Sequence, residues 1–259
     1  MSSYIHENAI VSPSAVIGVD CYIGPFSVVG EKVILRDRVR LDSHVVIDGE
    51  TIIDDDTHVF PFVSIGLAPQ DLKYGGEATA VEIGKRNHIR EFVTVHRGTA
   101  GGGGITRIGD DCLLMAQAHV AHDCSVGNNV IMANAATLAG HVEIADRANI
   151  GAYSGVHQFC RIGYEAFVGG YSVVVKDAPP FAIIQGNHAK CYGLNRVGLR
   201  RRGYSKETIE SLHRAFHIYL SSKLNTSQAV DKIKEEIKGC KEVDLLVRFI
   251  ESSKRGVVK

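Results

Sequence analysis

Residues 108–178 decide the fold: IGDDCLLMAQAHVAHDCSVGNNVIMANAATLAGHVEIADRANIGAYSGVHQFCRIGYEAFVGGYSVVVKDA. An aliphatic residue returns at every sixth position of this stretch, at Ile108, Leu114, Val120, Val126, Met132, Leu138, Ile144, Ile150, Val156, Ile162, Val168 and Val174. A small or β-branched residue stands four positions after each, at Cys112, Ala118, Cys124, Val130, Ala136, Val142, Ala148, Ser154, Cys160, Ala166, Ser172 and Ala178. The same two columns fill residues 5–65, and the aliphatic column resumes over residues 83–95.

A period of six residues matches neither the 3.6-residue period of an α-helix nor the two-residue alternation of an amphipathic strand. It predicts a short strand and a turn, repeated three times to close an 18-residue coil of triangular section. Stacked coils then form an all-β parallel β-helix around the aliphatic column. The pattern leaves the handedness of the coil open, although parallel crossovers are right-handed in about 98% of cases.

Ten glycines come directly after an aliphatic position of the repeat, and we expect them to adopt backbone conformations with positive φ. They are Gly18, Gly24, Gly30, Gly66, Gly84, Gly109, Gly127, Gly151, Gly163 and Gly169.

Two stretches break the phase, and the repeat ends at Pro179-Pro180. We predict a β-helix over residues 1–190 with loop insertions at 67–80 and 98–106, followed by a small C-terminal α-helical domain over residues 191–259. The second loop holds four consecutive glycines, but it lacks the GK[ST] helix start of a phosphate-binding loop. In the C-terminal part we expect one helix from an N-cap at Ser205 through Leu220. A second, capped by Thr226 or Ser227, should end near Gly239, and a third should span residues 242–253.

Composition limits the classes of function. The 259 residues carry 29 basic and 29 acidic side chains, and this neutral balance argues against nucleic acid as the main partner. No apolar run is long enough to span a membrane, and the first residues lack the features of a signal peptide, so a cytoplasmic location is expected. None of the six cysteines forms a CxxC pair, and four lie on the small-residue column, where we interpret them as buried packing residues.

Histidines and polar residues converge on one part of the coil. His122, Gly140 and Gln158 follow one another at intervals of one full coil, as do Asp123 and His141, so each set should stack on one edge. Neighbouring coils are about 4.8 Å apart, so with His157 these residues should form a patch of about 10 Å. An imidazole suits proton removal from a hydroxyl at neutral pH, and Asp123 could orient it. The Gly140 N–H could approach an oxyanion closely.

The motifs around this patch resemble those of a known enzyme family. They are HVAHDCSVGNNVIMAN at 119–134, TLAGHV at 137–142, VHQFC at 156–160, QDLKY at 70–74, VHRGT at 95–99, QGNHA at 185–189 and LRRRGY at 199–204. Together they resemble the UDP-N-acetylglucosamine O-acyltransferases that start lipid A biosynthesis, and the resemblance covers essentially the whole chain.

The resemblance implies a left-handed parallel β-helix and a cytoplasmic homotrimer with sites between neighbouring prisms. It implies transfer of a 3-hydroxyacyl group from acyl carrier protein to the 3-position of UDP-N-acetylglucosamine, with no cofactor and no metal. It leaves open the acyl length and whether the acceptor is a 3-hydroxyl or a 3-amine.

Roles follow from the resemblance position by position. His122 is expected to be the general base, Asp123 its orienting partner and Gly140 the oxyanion donor. The residues expected to bind the substrates are Gln70, Asp71, Lys73, His119, His141, His157, Gln158, His188, Asn195, Arg201 and Arg202, the last three at the nucleotide. Gly170 matches the acyl-length ruler position, and an open groove there implies a long chain such as 3-hydroxymyristoyl. Val197 stands where the family commonly has a ribose-binding Glu, so that contact is in doubt.

Two other classes of function compete with this interpretation. A γ-class carbonic anhydrase is also a trimeric left-handed β-helix, but its zinc ligands would need an H-x4-H spacing, whereas His119 and His122 are spaced H-x2-H. A non-catalytic β-helical scaffold would give the polar patch no reason to converge.

Overall fold

The chain winds in 18-residue coils. The computed structural model describes residues 2–221 and 223–259, so Met1 and Ser222 lie outside it. Strand partners lie one coil apart, as where Tyr4 lies opposite Tyr22 and Tyr22 opposite Arg40. The six-residue period therefore predicted the register correctly.

Each coil contributes one short strand to each of three sheets, which are parallel except for one antiparallel pair at the end of the first. The first sheet contains Tyr4–Ile5, Tyr22–Ile23, Arg40–Leu41, His58–Val59, His88–Ile89, Leu113–Leu114, Ile131–Met132, Asn149–Ile150, Phe167–Val168, Ala182–Gln185 and Lys190–Leu194. The second contains Ile10–Val11, Val28–Val29, Val46–Ile47, Ser64–Leu67, Thr94–His96, His119–Val120, Thr137–Leu138, Gly155–Val156 and Val173–Val174. The third contains Val16–Ile17, Ile34–Leu35, Glu50–Ile53, Ala80–Ile83, Ile105–Ile108, Ser125–Val126, Glu143–Ile144 and Arg161–Ile162.

The two columns form the interior of the prism. From Ile23 onwards the aliphatic column is 0–3% exposed. The small column also forms hydrogen bonds: Ser27 Oγ donates to the carbonyl of Asp42 at 2.7 Å, and Cys112 Sγ donates to that of Gly127 at 3.1 Å. The cysteines of this column are therefore donors to the next coil as well as packing residues.

The expectation that the repeat glycines have positive φ is wrong for nine of the ten, since only Gly66 lies in that region. Positive φ occurs instead at non-glycine residues in the turns, such as Asp20 and Phe26. The glycines are required by close approach of the next coil, because a Cβ on Gly109 would lie 2.8 Å from the backbone of Gly127.

The three edges of the prism differ in character. The edge from the third sheet to the first, the charge edge, carries an ion-pair ladder that includes Arg38 with Asp56 at 2.6 Å. The edge from the first sheet to the second, the aromatic edge, carries stacked rings such as Phe62 and Phe92. The edge from the second sheet to the third, the loop edge, carries both insertions and the turns at Asp123, His141 and Phe159.

The insertions occupy residues 68–79 and 97–104. The first lies just inside its predicted bounds, whereas the second begins one residue earlier and ends two residues earlier than predicted. His58 pairs with His88 and His88 with Leu113, so both of these coils are longer than the regular repeat, the first more than the second. Each loop thus lengthens one coil while the flanking strands keep their parallel pairing, with a β-bulge between Ile65 and Leu67 where the first loop leaves the second sheet. The second loop contains a 3-10 turn at Ala100–Gly102.

Four helices follow the prism in the described residues: α1 (Arg196–Arg201), α2 (Lys206–Ser221), α3 (Thr226–Glu236) and α4 (Lys241–Glu251). The Ser205 cap is confirmed, since its Oγ accepts from the Thr208 N–H at 3.2 Å. The cap of α3 is Asn225, which forms a capping box with Gln228, in place of Thr226 or Ser227. The six-residue helix α1 was not predicted. Throughout residues 2–221 and 223–259, none of the helices has the length and apolar character of a membrane crossing.

Arg161 joins the helices to the prism. Its Nε donates to Asp177 Oδ2 at 3.0 Å, and its Nη2 donates to the carbonyl of Phe249 in α4 at 3.1 Å. The guanidinium also lies over the Phe249 ring, 4.5 Å from its centroid. The helical part is thus fixed to the last coils of the prism.

Candidate active site

His122 and Asp123 form a hydrogen-bonded dyad in one turn of the loop edge. The Asp123 side chain is 0% exposed, and its Oδ2 accepts from Nδ1–H of His122 at 2.8 Å. Since an ionised carboxylate only accepts, the bond places the proton on Nδ1 and leaves Nε2 free to take up a proton. This is the geometry of a histidine base with an orienting carboxylate.

Gly140 lies directly under the His122 ring. A Cβ on Gly140 would come within 2.5 Å of His122 Cε1, so no other residue fits without moving the imidazole. Among the described residues the Gly140 N–H has no hydrogen-bond acceptor. The expected base and the expected oxyanion donor are therefore adjacent.

His141 extends the dyad into the next coil. Its ring meets that of His122 edge to face at 5.1 Å, and its Nε2 lies 3.9 Å from Asp123 Oδ2. Burial lowers the pKa of His141 and His122 lowers it further, while Asp123 and Asp71 oppose the shift. Phe159 stacks on His141 at 4.4 Å. Phe159 was not predicted as a site residue, although it follows His141 by one full coil.

His119 lies on the second sheet beside the dyad, in a second histidine pair. Its Nδ1 is 2.6 Å from Thr94 Oγ1, and its ring is 4.9 Å from that of His96. Burial lowers the pKa of His119 to about 4, and His96 and His122 act in the same direction. His119 is therefore a neutral imidazole at physiological pH. His96 was not predicted, because the lengthened coil hides its alignment with the other histidines.

His157 and Gln158 lie on the loop edge one coil beyond Gly140, and both side chains are exposed. Nη2 of Arg255 lies 3.3 Å from Nδ1 of His157. Arg255 follows the last helix, so the C-terminal segment brings a cation to this edge that no motif indicated. A groove of about 600 Å³ beside the dyad is lined by turn residues of the loop edge (Asp123, His141 and Phe159), by the third sheet and by Phe249 of α4.

Gln70, Asp71 and Lys73 lie on the first insertion, which leaves the prism at the same edge as the dyad. Asp71 Oδ1 accepts from the Lys73 N–H at 3.0 Å, which closes a local turn. The Asp71 carboxylate raises the pKa of His141, against the larger lowering by burial.

Three expected nucleotide contacts lie at the charge edge, away from the dyad. Asn195 caps α1 by accepting from the Gly198 N–H at 3.0 Å, and Arg201 is exposed. Arg202 Nη1 is 3.1 Å from Oε2 of Glu165, a carboxylate whose side chain is 1% exposed. Arg202 thus has a structural partner that the sequence did not reveal.

Two further expected residues lie in other places. His188 lines a separate groove of about 620 Å³ with Lys176, Lys190 and Lys259. Gly170 lies at the aromatic edge beside Tyr171, with its Cβ position 3.2 Å from the Ala152 carbonyl. It lies almost three coils above the level of His122, about 13 Å along the axis.

His122, Asp123 and His141 also offer three ligand atoms that all lie within 4.8 Å of one another. Asp123 Oδ2 already accepts from His122 Nδ1–H and from Thr99 Oγ1–H at 2.7 Å. The donor set is of a kind that binds Zn²⁺, but these bonds would have to be exchanged for metal contacts.

Comparison with known proteins shows which class of protein this chain belongs to. A model described as "Bacterial transferase hexapeptide (six repeats)" matches residues 105–140, and one described as "Udp N-acetylglucosamine O-acyltransferase; Domain 2" matches residues 177–258. LpxA from Acinetobacter baumannii superposes with a TM-score of 0.96 at 44% identity, covering 98% of this chain and 99% of that one. The UDP-N-acetylglucosamine acyltransferase LpxA of Bacteroides fragilis gives a TM-score of 0.97 at 40% identity, covering 99% and 100%. The protein is thus a hexapeptide-repeat acyltransferase, and the expected left-handed parallel β-helix with C-terminal helices is confirmed.

Curated relatives identify the family. Acyl-[acyl-carrier-protein]–UDP-N-acetylglucosamine O-acyltransferase from Aliivibrio salmonicida is 48% identical over 195 residues, 75% of this chain and 74% of its own length. The enzyme of that name from Thermodesulfovibrio yellowstonii is 49% identical over 201 residues, 78% of both chains. The chain belongs to the acyl-[acyl-carrier-protein]–UDP-N-acetylglucosamine O-acyltransferase family, as its motifs predicted.

Proposed function

We propose that this enzyme transfers a 3-hydroxyacyl group from acyl carrier protein to the 3-position of UDP-N-acetylglucosamine, the first step of lipid A biosynthesis. The observation that carries the proposal is the dyad of His122 and Asp123, with a free Gly140 N–H beside it, in a member of this family. Because its donor and acceptor are metabolites of the cytoplasm, we place the reaction there.

The dyad supplies the proton transfers that the reaction needs. His122 Nε2 takes the proton from the sugar hydroxyl, and the hydroxyl oxygen attacks the thioester carbonyl of the donor. The Gly140 N–H donates to the resulting oxyanion. When the C–S bond breaks, the thiol of the carrier leaves with the proton returned by the imidazolium. Asp123 stabilises the imidazolium between these two steps.

We further propose that the site is shared between chains of a homotrimer. The dyad lies at the loop edge, whereas Asn195, Arg201 and Arg202 lie at the charge edge of the same chain. One face of the prism, about six residues wide, separates the loop edge from the charge edge. At about 3.3 Å per residue, the distance between the two edges is up to about 20 Å. A second chain placed against the loop edge could bring its own arginines to the same substrate.

The general base is tested by His122→Ala. We expect kcat to fall about 10²–10⁴-fold with folding intact, because the side chain lies outside the packed interior. His213→Ala, an exposed histidine on α2, is the matched control and should keep full activity. A His122→Ala enzyme that keeps most of its activity would show that His122 is not the general base.

Mass spectrometry of the product from a mixed acyl-carrier pool identifies the acyl length and the acceptor atom.

The shared site is tested by complementation between two inactive variants. His122→Ala and Arg201→Glu are mixed under dissociating conditions, reassembled, and assayed at low UDP-N-acetylglucosamine. If each site takes His122 from one chain and Arg201 from its neighbour, about one quarter of the sites in an equal mixture are intact. If the mixture is no more active than its components, the two residues do not meet across an interface.

A further inference from the structure

The buried carboxylate of Asp123 has a second set of partners in the glycine-rich loop 97–104. The Thr99 N–H donates to Asp123 Oδ1 at 2.9 Å, and Thr99 Oγ1–H donates to Oδ2 at 2.7 Å. Oδ2 is the oxygen that also accepts from His122. One residue of the loop therefore contacts both oxygens of the carboxylate that orients the expected base.

The glycines of the loop make this contact possible. A Cβ on Gly102 would collide with the carboxyl group of Asp123, and one on Gly98 would lie 2.8 Å from Oδ1. The backbone of the loop thus packs directly on the carboxylate. A side chain at Gly101, by contrast, would meet nothing within 4 Å. The loop does hold an anion, but the anion is a side chain of the protein itself.

The loop is fixed at its outer side as well. Arg97 Nε donates to the Tyr74 hydroxyl at 2.9 Å, and the Ala100 N–H donates to Glu77 Oε1 at 3.3 Å. Tyr74 and Glu77 belong to the first insertion. Thr99 is thereby held between the other loop and the dyad, with little freedom to release the carboxylate.

We propose that Thr99 is a positioning residue of the dyad, acting through Asp123 and held in place by the glycine-rich loop. The proposal rests on the proposed function, in which His122 is the base. A carboxylate fixed by two donors cannot rotate about Cβ–Cγ, so Oδ2 stays aligned with Nδ1–H of His122. That alignment keeps the imidazole in the tautomer with Nε2 free. Without the hydroxyl, a small displacement of Oδ2 would misalign the base, and errors of this kind cost up to about 100-fold in rate.

The hydroxyl is tested by Thr99→Val and Thr99→Ser. We expect Thr99→Val to lower kcat about 10- to 100-fold with KM for UDP-N-acetylglucosamine unchanged, and Thr99→Ser to recover most of the loss. Thr57→Val is the matched control, since Thr57 is also buried and its Oγ1 donates to the Gly84 carbonyl away from the dyad. Histidine ¹⁵N NMR should show a loss of the Nδ1-protonated tautomer in Thr99→Val only. A kcat that does not fall in Thr99→Val, or that Thr99→Ser does not restore, overturns the proposal.

The loop backbone is tested by the pair Gly102→Ala and Gly101→Ala. The first should lower kcat because its Cβ collides with Asp123, and the second should leave kcat unchanged. Equal effects of the two would overturn the role of the loop.

In a His122→Ala background, Thr99→Val should cause no further loss of kcat, because the effects of residues that act as a unit are not additive. A further loss of the same size would show that Thr99 does not act through the dyad. If His122→Ala itself stays active, the proposed function fails instead.

Discussion

Removal of the Arg202 side chain should destabilise the protein as well as weaken nucleotide binding. Glu165 is 1% exposed, and its ion-pair partners are Arg202 at 3.1 Å and Arg147 at 3.6 Å. A separation of 3.1 Å corresponds to about 5 kcal/mol at an effective dielectric constant of about 20. The Arg202 side chain is 30% exposed and Arg147 remains after the substitution, so we expect about half of this, about 2–3 kcal/mol. For a chain of this size the expected fall in Tm is about 5–10 °C.

Four variants separate the two roles of the arginine. Arg201→Ala, whose parent side chain is exposed, should raise KM for UDP-N-acetylglucosamine at unchanged Tm. Arg202→Ala should change both quantities. Glu165→Gln combined with Arg202→Ala should restore most of the Tm because it removes a buried charge that has lost its nearer cation, while KM stays high. Glu165→Gln alone provides the reference for the cycle.

Thermal unfolding followed by circular dichroism and steady-state kinetics measure these outcomes. If Arg202→Ala has the same Tm as the unmodified protein, the ion pair of Arg202 with Glu165 does not stabilise the fold, and the expected loss of about 2–3 kcal/mol is refuted. If the double variant recovers both Tm and KM, Arg202 affects nucleotide binding only through the fold of α1.

Four more outcomes are expected. Gly170→Met should shift donor preference in a mixed acyl-carrier pool towards shorter chains at about 1–3 kcal/mol per methylene, and an unchanged product profile would place the ruler elsewhere. Burial lowers the pKa of His119 to about 4, so between about pH 6.5 and 4 the unfolded chain binds a proton that the folded chain does not. The free energy of unfolding therefore decreases as the pH is lowered through this range. Urea unfolding should therefore show a smaller loss of stability between about pH 6.5 and 4 in His119→Gln, and equal slopes would contradict this. Cys112→Ser should be more stable than Cys112→Ala by about 1 kcal/mol, because a serine hydroxyl can also donate to the Gly127 carbonyl; equal midpoints in urea would show that the bond contributes nothing. Raising salt should increase KM for the acylated carrier more than KM for the nucleotide sugar, because exposed arginines on α1 would attract an acidic carrier protein. If KM for the carrier does not change with salt, these arginines do not bind the carrier.

The six-residue period by itself determined the fold of the prism and the core of the candidate site. Each coil must bury its aliphatic column, so the register advances by one whole coil wherever the coil is uninterrupted. That is why the sequence alone predicts His122 over Gly140, and Asp123 beside His141. The handedness did not follow from the period, because left- and right-handed coils bury the same column.

Tertiary structure decided the contacts that do not repeat. The two insertions lengthen their coils by different amounts, so no fixed spacing predicts the contact between Thr99 and Asp123. The glycines after the aliphatic positions looked like turn residues, but the approach of the next coil explains them, and that distance exists only once coils stack. The pair of Arg202 with Glu165 joins a helix to the prism, because a carboxylate buried by the fold requires a cation there. A repeat determines what every coil shares, whereas loops and the docking of helices bring together residues whose spacing is unique.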